Sequence, residues 1–97
     1  DNYNMSKIFL ASTGISIENG ATNASITENE IKKKLIQKPG EKHLLIDSSK
    51  LDVTSLMTFC PLTELNSIIL DSPAPEKYVQ YCKKNHIDLL VAPEEYV

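Results

Sequence analysis

Asp47-Ser48-Ser49-Lys50 follows directly on the apolar run His43-Leu44-Leu45-Ile46, and Asp71-Ser72 follows in the same way on Ser67-Ile68-Ile69-Leu70. Ser12-Thr13-Gly14 closes Lys7-Ile8-Phe9-Leu10-Ala11, and Pro93-Glu94 closes Asp88-Leu89-Leu90-Val91-Ala92. A carboxylate accepts hydrogen bonds from sugar hydroxyls, and a lysine offers a point charge to a phosphate or carboxylate. Gathered at one place, these groups suit a polyol that carries an anionic group. Each has a plainer reading as well. Asp and Ser are ordinary turn formers after a strand, and Asp47 with Lys50 reads equally as a surface ion pair worth less than about 1 kcal/mol.

Other chemistries find little support. Cys60 and Cys82 stand in unrelated contexts with no CxxC or Cys/His spacing, so neither a disulfide framework nor a metal site is expected. They read, with the isolated His43 and His86, as buried or half-buried structural residues in a reducing compartment. No glycine-rich phosphate loop of the dinucleotide or P-loop type occurs, and no cofactor is expected. All ten cationic residues are lysine and the net charge is -3, which is poor equipment for reading nucleic acid. Lys32, Lys33, Lys34 and Lys38 form a run, but consecutive helical positions fan around the axis, so the run reads as a solvated helix face. The Asn4 and Asn23 sequons have no use in a chain without a secretion signal.

The elements that position the polar steps follow from the pattern. Residues 7–12, 43–47, 67–71 and 88–92 read as four short buried strands. Thr27-Glu28-Asn29-Glu30 has the form of a capping box, with Thr27 as the cap, and opens a helix through Ile31, Leu35 and Ile36 to Pro39-Gly40. A short helix is expected over Asp52 to Met57, and another over Glu76 to Lys84 carrying Val79 and Cys82. Residues 13–26 read as a long loop, of a length that in compact domains is usually functional or disordered. The order is βαβαβαβ with strands apolar on both faces, which predicts a parallel α/β sheet covered by helices on each side. Right-handed crossovers align the carboxyl ends along one edge, where ligands bind in open α/β sheets.

At 97 residues, 41% of them hydrophobic, the chain is one α/β domain spanning 1–97 with a thin stability margin. Its apolar runs are too short for a transmembrane helix.

Four motifs in order carry a resemblance over about residues 7–72: the first strand with Gly14-Ile15, Gly20-Ala21-Thr22, Glu28-Asn29-Glu30-Ile31-Lys32, and Ile46-Asp47-Ser48-Ser49-Lys50-Leu51. The series resembles the effector-sensing domain of the DeoR family of bacterial sugar-metabolism repressors. Thr58-Phe59-Cys60-Pro61-Leu62-Thr63-Glu64-Leu65 is similar to a stretch in the lactose phosphotransferase system branch of that family.

The resemblance implies a cytoplasmic regulator rather than an enzyme. Its partners would be a phosphorylated sugar effector, further copies of itself, and DNA through a separate N-terminal helix-turn-helix domain outside this chain. No membrane partner is implied. It implies a fold like part of the ribose-5-phosphate isomerase, glucosamine-6-phosphate deaminase and CoA-transferase group, with the first half of the sensor also outside the chain. Ser12, Thr13, Gly14, Gly20, Thr22, Glu30, Asp47 and Lys50 would then contact the ligand, with Glu30 at the place of the isomerase's glutamate. Glu30 is equally accounted for by the capping box. The isomerase's acidic pair after the first strand and its loop lysine are replaced here by Ser12-Thr13-Gly14-Ile15-Ser16 and Ala21-Thr22. A phosphosugar isomerase fragment and an oligomerisation domain with a vestigial site are the alternatives. A half-sensor also exposes a sheet edge or face where the other half would pack, so the isolated chain is expected to self-associate.

Overall fold

The computed structural model describes residues 6–92; Asn4, Pro93 and Glu94 lie outside the described residues. Strands β1 (Lys7–Ala11), β4 (Glu41–Ile46), β6 (Ser67–Leu70) and β7 (Asp88–Val91) form a parallel sheet in the order β1-β4-β6-β7. These are the four strands expected, and their carboxyl ends share one edge. Helix α1 (Ile26–Gln37) joins β1 to β4 by way of a hairpin, and α2 (Glu76–Lys84) joins β6 to β7.

The expected third helix, over Asp52 to Met57, does not form. Asp52 sits in the left-handed region at φ 64°, which no helix accommodates. Met57–Cys60 instead forms strand β5, as its β-branched and aromatic content favours. The 13–26 segment is likewise not a structureless loop. It holds β2 (Gly14–Ser16) and β3 (Gly20–Asn23), paired antiparallel, and β3 pairs in turn with β5. Three residues turn the hairpin, closed by Gly20 at φ 76°, the left-handed position such a turn reserves for glycine. A Cβ there would lie 2.3 Å from the Cys60 carbonyl oxygen.

The cap of α1 lies two residues earlier than the Thr27 box predicts. Ser25 is the N-cap and its hydroxyl accepts from the Glu28 N–H at 3.2 Å. Two Ser/Thr-x-x-Glu patterns overlap here, and serine is the stronger cap. Glu30 therefore has no capping role. It is exposed on the second turn, 3.9 Å from Lys33.

Among the described residues the sheet is covered on one side only, not on both. Successive connections always add strands in the same direction, so right-handed crossovers all pass over one face. Burial agrees with this. Leu10, Leu44 and Ile68 lie in one row and are buried, and they join Ile46, Leu70, Ile15, Phe59, Leu62, Tyr78 and Cys82 in one core. The neighbouring row, Ala11, Leu45, Ile69 and Leu90, faces the other way, and Leu45 and Leu90 are 45% and 50% exposed. On α2 the buried positions are Tyr78 and Cys82, while Val79 is exposed.

Candidate functional site

The carboxyl edge divides into two regions built from different kinds of contact. Around the β2–β3 hairpin, every hydroxyl named by the sequence is already engaged. Ser12 Oγ lies 2.7 Å from the Gly14 carbonyl oxygen and 2.8 Å from that of Thr22. Thr13 Oγ1 is 2.6 Å from Ser55 Oγ. Thr22 is fully buried, donates its hydroxyl to the Gly14 carbonyl at 3.0 Å and accepts from the Ser55 N–H at 2.9 Å. Gly14 is present because the chain passes too close for a side chain: a Cβ would lie 2.2 Å from the Val53 carbonyl oxygen. Thr13, Gly14 and Thr22 thus join the hairpin to the segment 53–55, Ser12 ties the hairpin's two strands together, and Gly20 turns it against Cys60.

The second region follows β4 and β6. Ser48–Lys50 is a 3-10 turn capped by Asp47, whose carboxylate accepts from the Ser49 N–H at 3.2 Å. Asp71 accepts from the Ser48 N–H at 2.8 Å, and the Ser72 hydroxyl donates to that of Ser48 at 2.8 Å. The Ser48 backbone and side-chain hydrogen bonds hold the Asp71 carboxyl below its ordinary range, since they favour the charged form. Asp47 and Asp71 line a cavity of about 300 Å³ together with Leu45, Ile46, Ile69, Leu70 and Ala92. Lys50 is exposed and forms no ion pair among the described residues, with Asp47 or any other. Glu30 does not line this cavity.

Two features escape the sequence pattern. Tyr78, 1% exposed, donates its hydroxyl to Asp52 at 2.7 Å and accepts from the Asp52 N–H at 3.1 Å. Lys77 pairs with the other Asp52 oxygen at 2.9 Å. These bonds clamp the segment after Lys50 to α2. They lower the Asp52 pKa, through the Tyr78 hydrogen bond first and Lys77 second, while burial drives the Tyr78 phenol up. Nothing in the spacing of Asp52 and Tyr78 announces the pair, because the contact depends on the left-handed Asp52.

Lys32 also departs from the expected solvated face. Lys33, Lys34 and Lys38 are exposed, but Lys32 is half-buried, donates to the Ala11 carbonyl oxygen and lies 5.4 Å from the Phe59 ring centre. Desolvation lowers its pKa, partly offset by Glu28. One position before Glu30, Asn29 is fully buried and its amide has no hydrogen-bond partner among the described residues.

Both cysteines are free and buried, and burial pushes the Cys60 thiol up to about 12, so neither is a reactive thiolate. His43 is half-buried as expected, whereas His86 is exposed at φ 59°. Asn23 is 1% exposed, closed to glycosylation in the folded chain. Among the described residues no helix is long and apolar enough to cross a membrane.

A profile described as the DeoR C terminal sensor domain matches residues 1–72. The HTH-type transcriptional regulator IolR of Bacillus subtilis is 37% identical over 92 residues, 95% of this chain and 37% of that protein. The HTH-type transcriptional repressor GlcR of the same organism is 30% identical over 93 residues, 96% of this chain and 36% of that protein. A lactose phosphotransferase system repressor of Staphylococcus epidermidis is 38% identical over 72 residues, 74% of this chain and 28% of that protein. The chain spans about a third of the length of these relatives.

Proposed function

This chain belongs to the DeoR C-terminal sensor domain family, and from that premise we propose that it is the effector-sensing part of a bacterial regulator of sugar metabolism. A phosphorylated sugar lies outside the carboxyl ends of β4 and β6, and its occupancy shifts the whole protein between DNA-competent and released states. DNA is read by a separate helix-turn-helix domain, in the cytoplasm. The fold is part of a sheet of the ribose-5-phosphate isomerase type.

The observation that carries this reading is the cavity shared by Asp47 and Asp71, with the unpaired Lys50 one turn away. The two carboxylates fix the direction of the ligand. They accept from sugar hydroxyls and repel a phosphate, so the hydroxyl end lies against Asp47 and Asp71 while the phosphate lies toward Lys50. The groups that would stabilise an enediolate are absent from the matching positions. The site therefore binds without turning over.

Calorimetric titration of the protein carrying this domain with ribose 5-phosphate and related aldose phosphates tests the proposal, alongside an assay for isomerised product. Saturable binding without product is the expected result. Product formation would make it an enzyme of the isomerase type. Absence of binding to any member of the panel would leave an oligomerisation domain.

A further inference from the structure

The turn that carries Lys50 is held by two tethers, and both come from the connection between β6 and α2. Two residues before Lys50, the Ser48 N–H donates to Asp71 at 2.8 Å and the Ser48 hydroxyl accepts from Ser72 at 2.8 Å. Two residues after it, Tyr78 grips Asp52 at two points. Its hydroxyl donates to the carboxylate at 2.7 Å and accepts from the Asp52 N–H at 3.1 Å. The turn's own bonds are short-range: the Lys50 N–H donates to the Asp47 carbonyl oxygen at 2.8 Å, and the Leu51 N–H to that of Ser48 at 3.2 Å. Ser49 and Lys50 are exposed, and a single 3-10 turn with so few bonds frays unless something outside it fixes its ends.

The second tether is anchored in the core. Tyr78 is 1% exposed and packs among the core residues, so its hydroxyl is held as firmly as the core is packed. A phenylalanine would fill the same volume, and what the hydroxyl adds is a reach to polar groups. Its one proton goes to the Asp52 carboxylate at 2.7 Å, while the Ile15 carbonyl oxygen lies farther away at 3.4 Å. Holding the carboxylate and the N–H of one residue together fixes that residue's backbone as well as its side chain. Asp52 stands at φ 64°, a region that a non-glycine residue keeps only where its surroundings impose it. The Lys77 ion pair on the other Asp52 oxygen is exposed on both sides and adds little to this hold.

We infer that Tyr78 is a positioning residue for the effector site: through Asp52 it fixes the far end of the Ser48–Lys50 turn, and so holds Lys50 where the phosphate meets it. The inference rests on the proposed role of Lys50 as the phosphate contact. Tyr78 itself does not touch the ligand. It completes in advance the ordering that the turn would otherwise undergo on binding. Loss of the hydroxyl should appear as weaker binding at a lysine whose charge is intact, by roughly three- to tenfold in dissociation constant, less than the loss of the lysine itself.

Two readouts on the protein carrying this domain test it, one without ligand and one with ribose 5-phosphate and related aldose phosphates as probes. Amide hydrogen exchange, followed by mass spectrometry, reads the tether. In Tyr78→Phe a peptide spanning 47–53 should exchange several-fold faster, and one spanning β4 no faster than the change in global stability requires. Calorimetric titration reads the consequence. Tyr78→Phe should raise the dissociation constant roughly three- to tenfold, and so should Asp52→Gly, which keeps the left-handed backbone without the carboxylate. Asp52→Asn, whose amide carbonyl still accepts from Tyr78, should recover most of the affinity. In a Lys50→Ala background Tyr78→Phe should weaken binding no further, a non-additivity that a general loss of stability does not produce. Unchanged exchange at 47–53 overturns the inference whether or not the probes bind. So does faster exchange at an unchanged dissociation constant, or a weakening that persists undiminished in Lys50→Ala. Faster exchange in a protein that binds none of the probes overturns instead the reading of the effector site, and the positioning role falls with it.

Discussion

The hairpin region and the Asp47–Asp71 region sit on the same edge of the same sheet, yet they use their polar groups in opposite ways. In the hairpin, the hydroxyls of Ser12, Thr13 and Thr22 and the backbone around Gly14 satisfy one another, and Thr22 is fully buried. In the second region, Asp47, Asp71 and Lys50 are exposed. Their hydrogen bonds fix a short turn and leave carboxylate and ammonium capacity free. A residue type suited to ligand binding is thus no guide to its role until its partners are known. The hairpin is the part that must be rigid, and the turn is the part with something left to offer. If the contrast is real, substitutions in the hairpin should register in stability, and substitutions in the turn should register in ligand affinity.

The largest effect is expected at Gly14. An added methyl would lie 2.2 Å from the Val53 carbonyl oxygen, a backbone atom that cannot swing aside. Gly14→Ala should cost about 3 kcal/mol through overpacking. For a domain of this size that lowers the melting temperature by roughly 12–24 °C in a thermal scan. A change of only a degree or two would show that the hairpin yields, and the comparison would lose its rigid member.

Thr22→Val keeps the shape and removes the hydroxyl. The Ser55 N–H then loses its acceptor, and the Gly14 carbonyl loses one donor. About 1–3 kcal/mol should be lost, read as an earlier denaturant midpoint at unchanged slope. Ligand affinity, measured well below the transition, should not change. A selective loss of affinity with normal stability would return the hairpin to the ligand.

Lys50→Ala reverses the expectation. With no ion pair to lose among the described residues, stability should stay within about 0.5 kcal/mol. A charge-assisted contact to phosphate is worth about 1.5–3 kcal/mol, so the sugar-phosphate dissociation constant should rise about ten- to a hundredfold. Glu30→Gln is the paired control. Its carboxylate stands 3.9 Å from Lys33 on the exposed side of α1, and neither stability nor affinity should move measurably.

How far the pattern of residues reached can be judged at particular places. The four parallel strands and α2 were legible because short apolar runs bounded by Pro, Ser and Asp have few other uses. The β2–β3 hairpin was not, since Gly14–Ser16 and Gly20–Asn23 are too short to show alternation and contain glycine, which is poor in strands. The helix expected after Asp52 failed because one left-handed residue, held by Tyr78 and Lys77, turned the chain toward β5. That contact spans 26 residues and leaves no local trace. Asp47 and Lys50 were legible as a polar step after a strand. That Asp71 joins Asp47 at one cavity follows only from the adjacency of β4 and β6. Which lysine of the run Lys32–Lys34 turns inward depended on the helix rotation, and that depended on the Ser25 cap.

The smallest effect concerns acid, and it bears on the turn alone. Asp71 has a folded-state pKa below its ordinary 3.8, chiefly because the Ser48 N–H and hydroxyl stabilise its charged form. A group whose pKa is lowered on folding binds fewer protons in the folded state than in the unfolded one. Its contribution to stability is therefore present above the unfolded value and is lost as pH falls through the folded one. Asp52, lowered by Tyr78 and Lys77, acts in the same direction and the same window. The chain should accordingly lose stability from about pH 4 downward, and Asp71→Asn should flatten part of that slope by removing at neutral pH the contribution that acid otherwise removes. Tyr78→Phe should flatten the part that belongs to Asp52. It should also cost about 1 kcal/mol at neutral pH through the Asp52 N–H left without its acceptor. Chemical denaturation at steps between pH 2.5 and 7 reads both. If Asp71→Asn leaves the acid slope intact while Thr22→Val reduces it, the charged turn is not the acid-sensitive region and the division between the two halves of the edge fails.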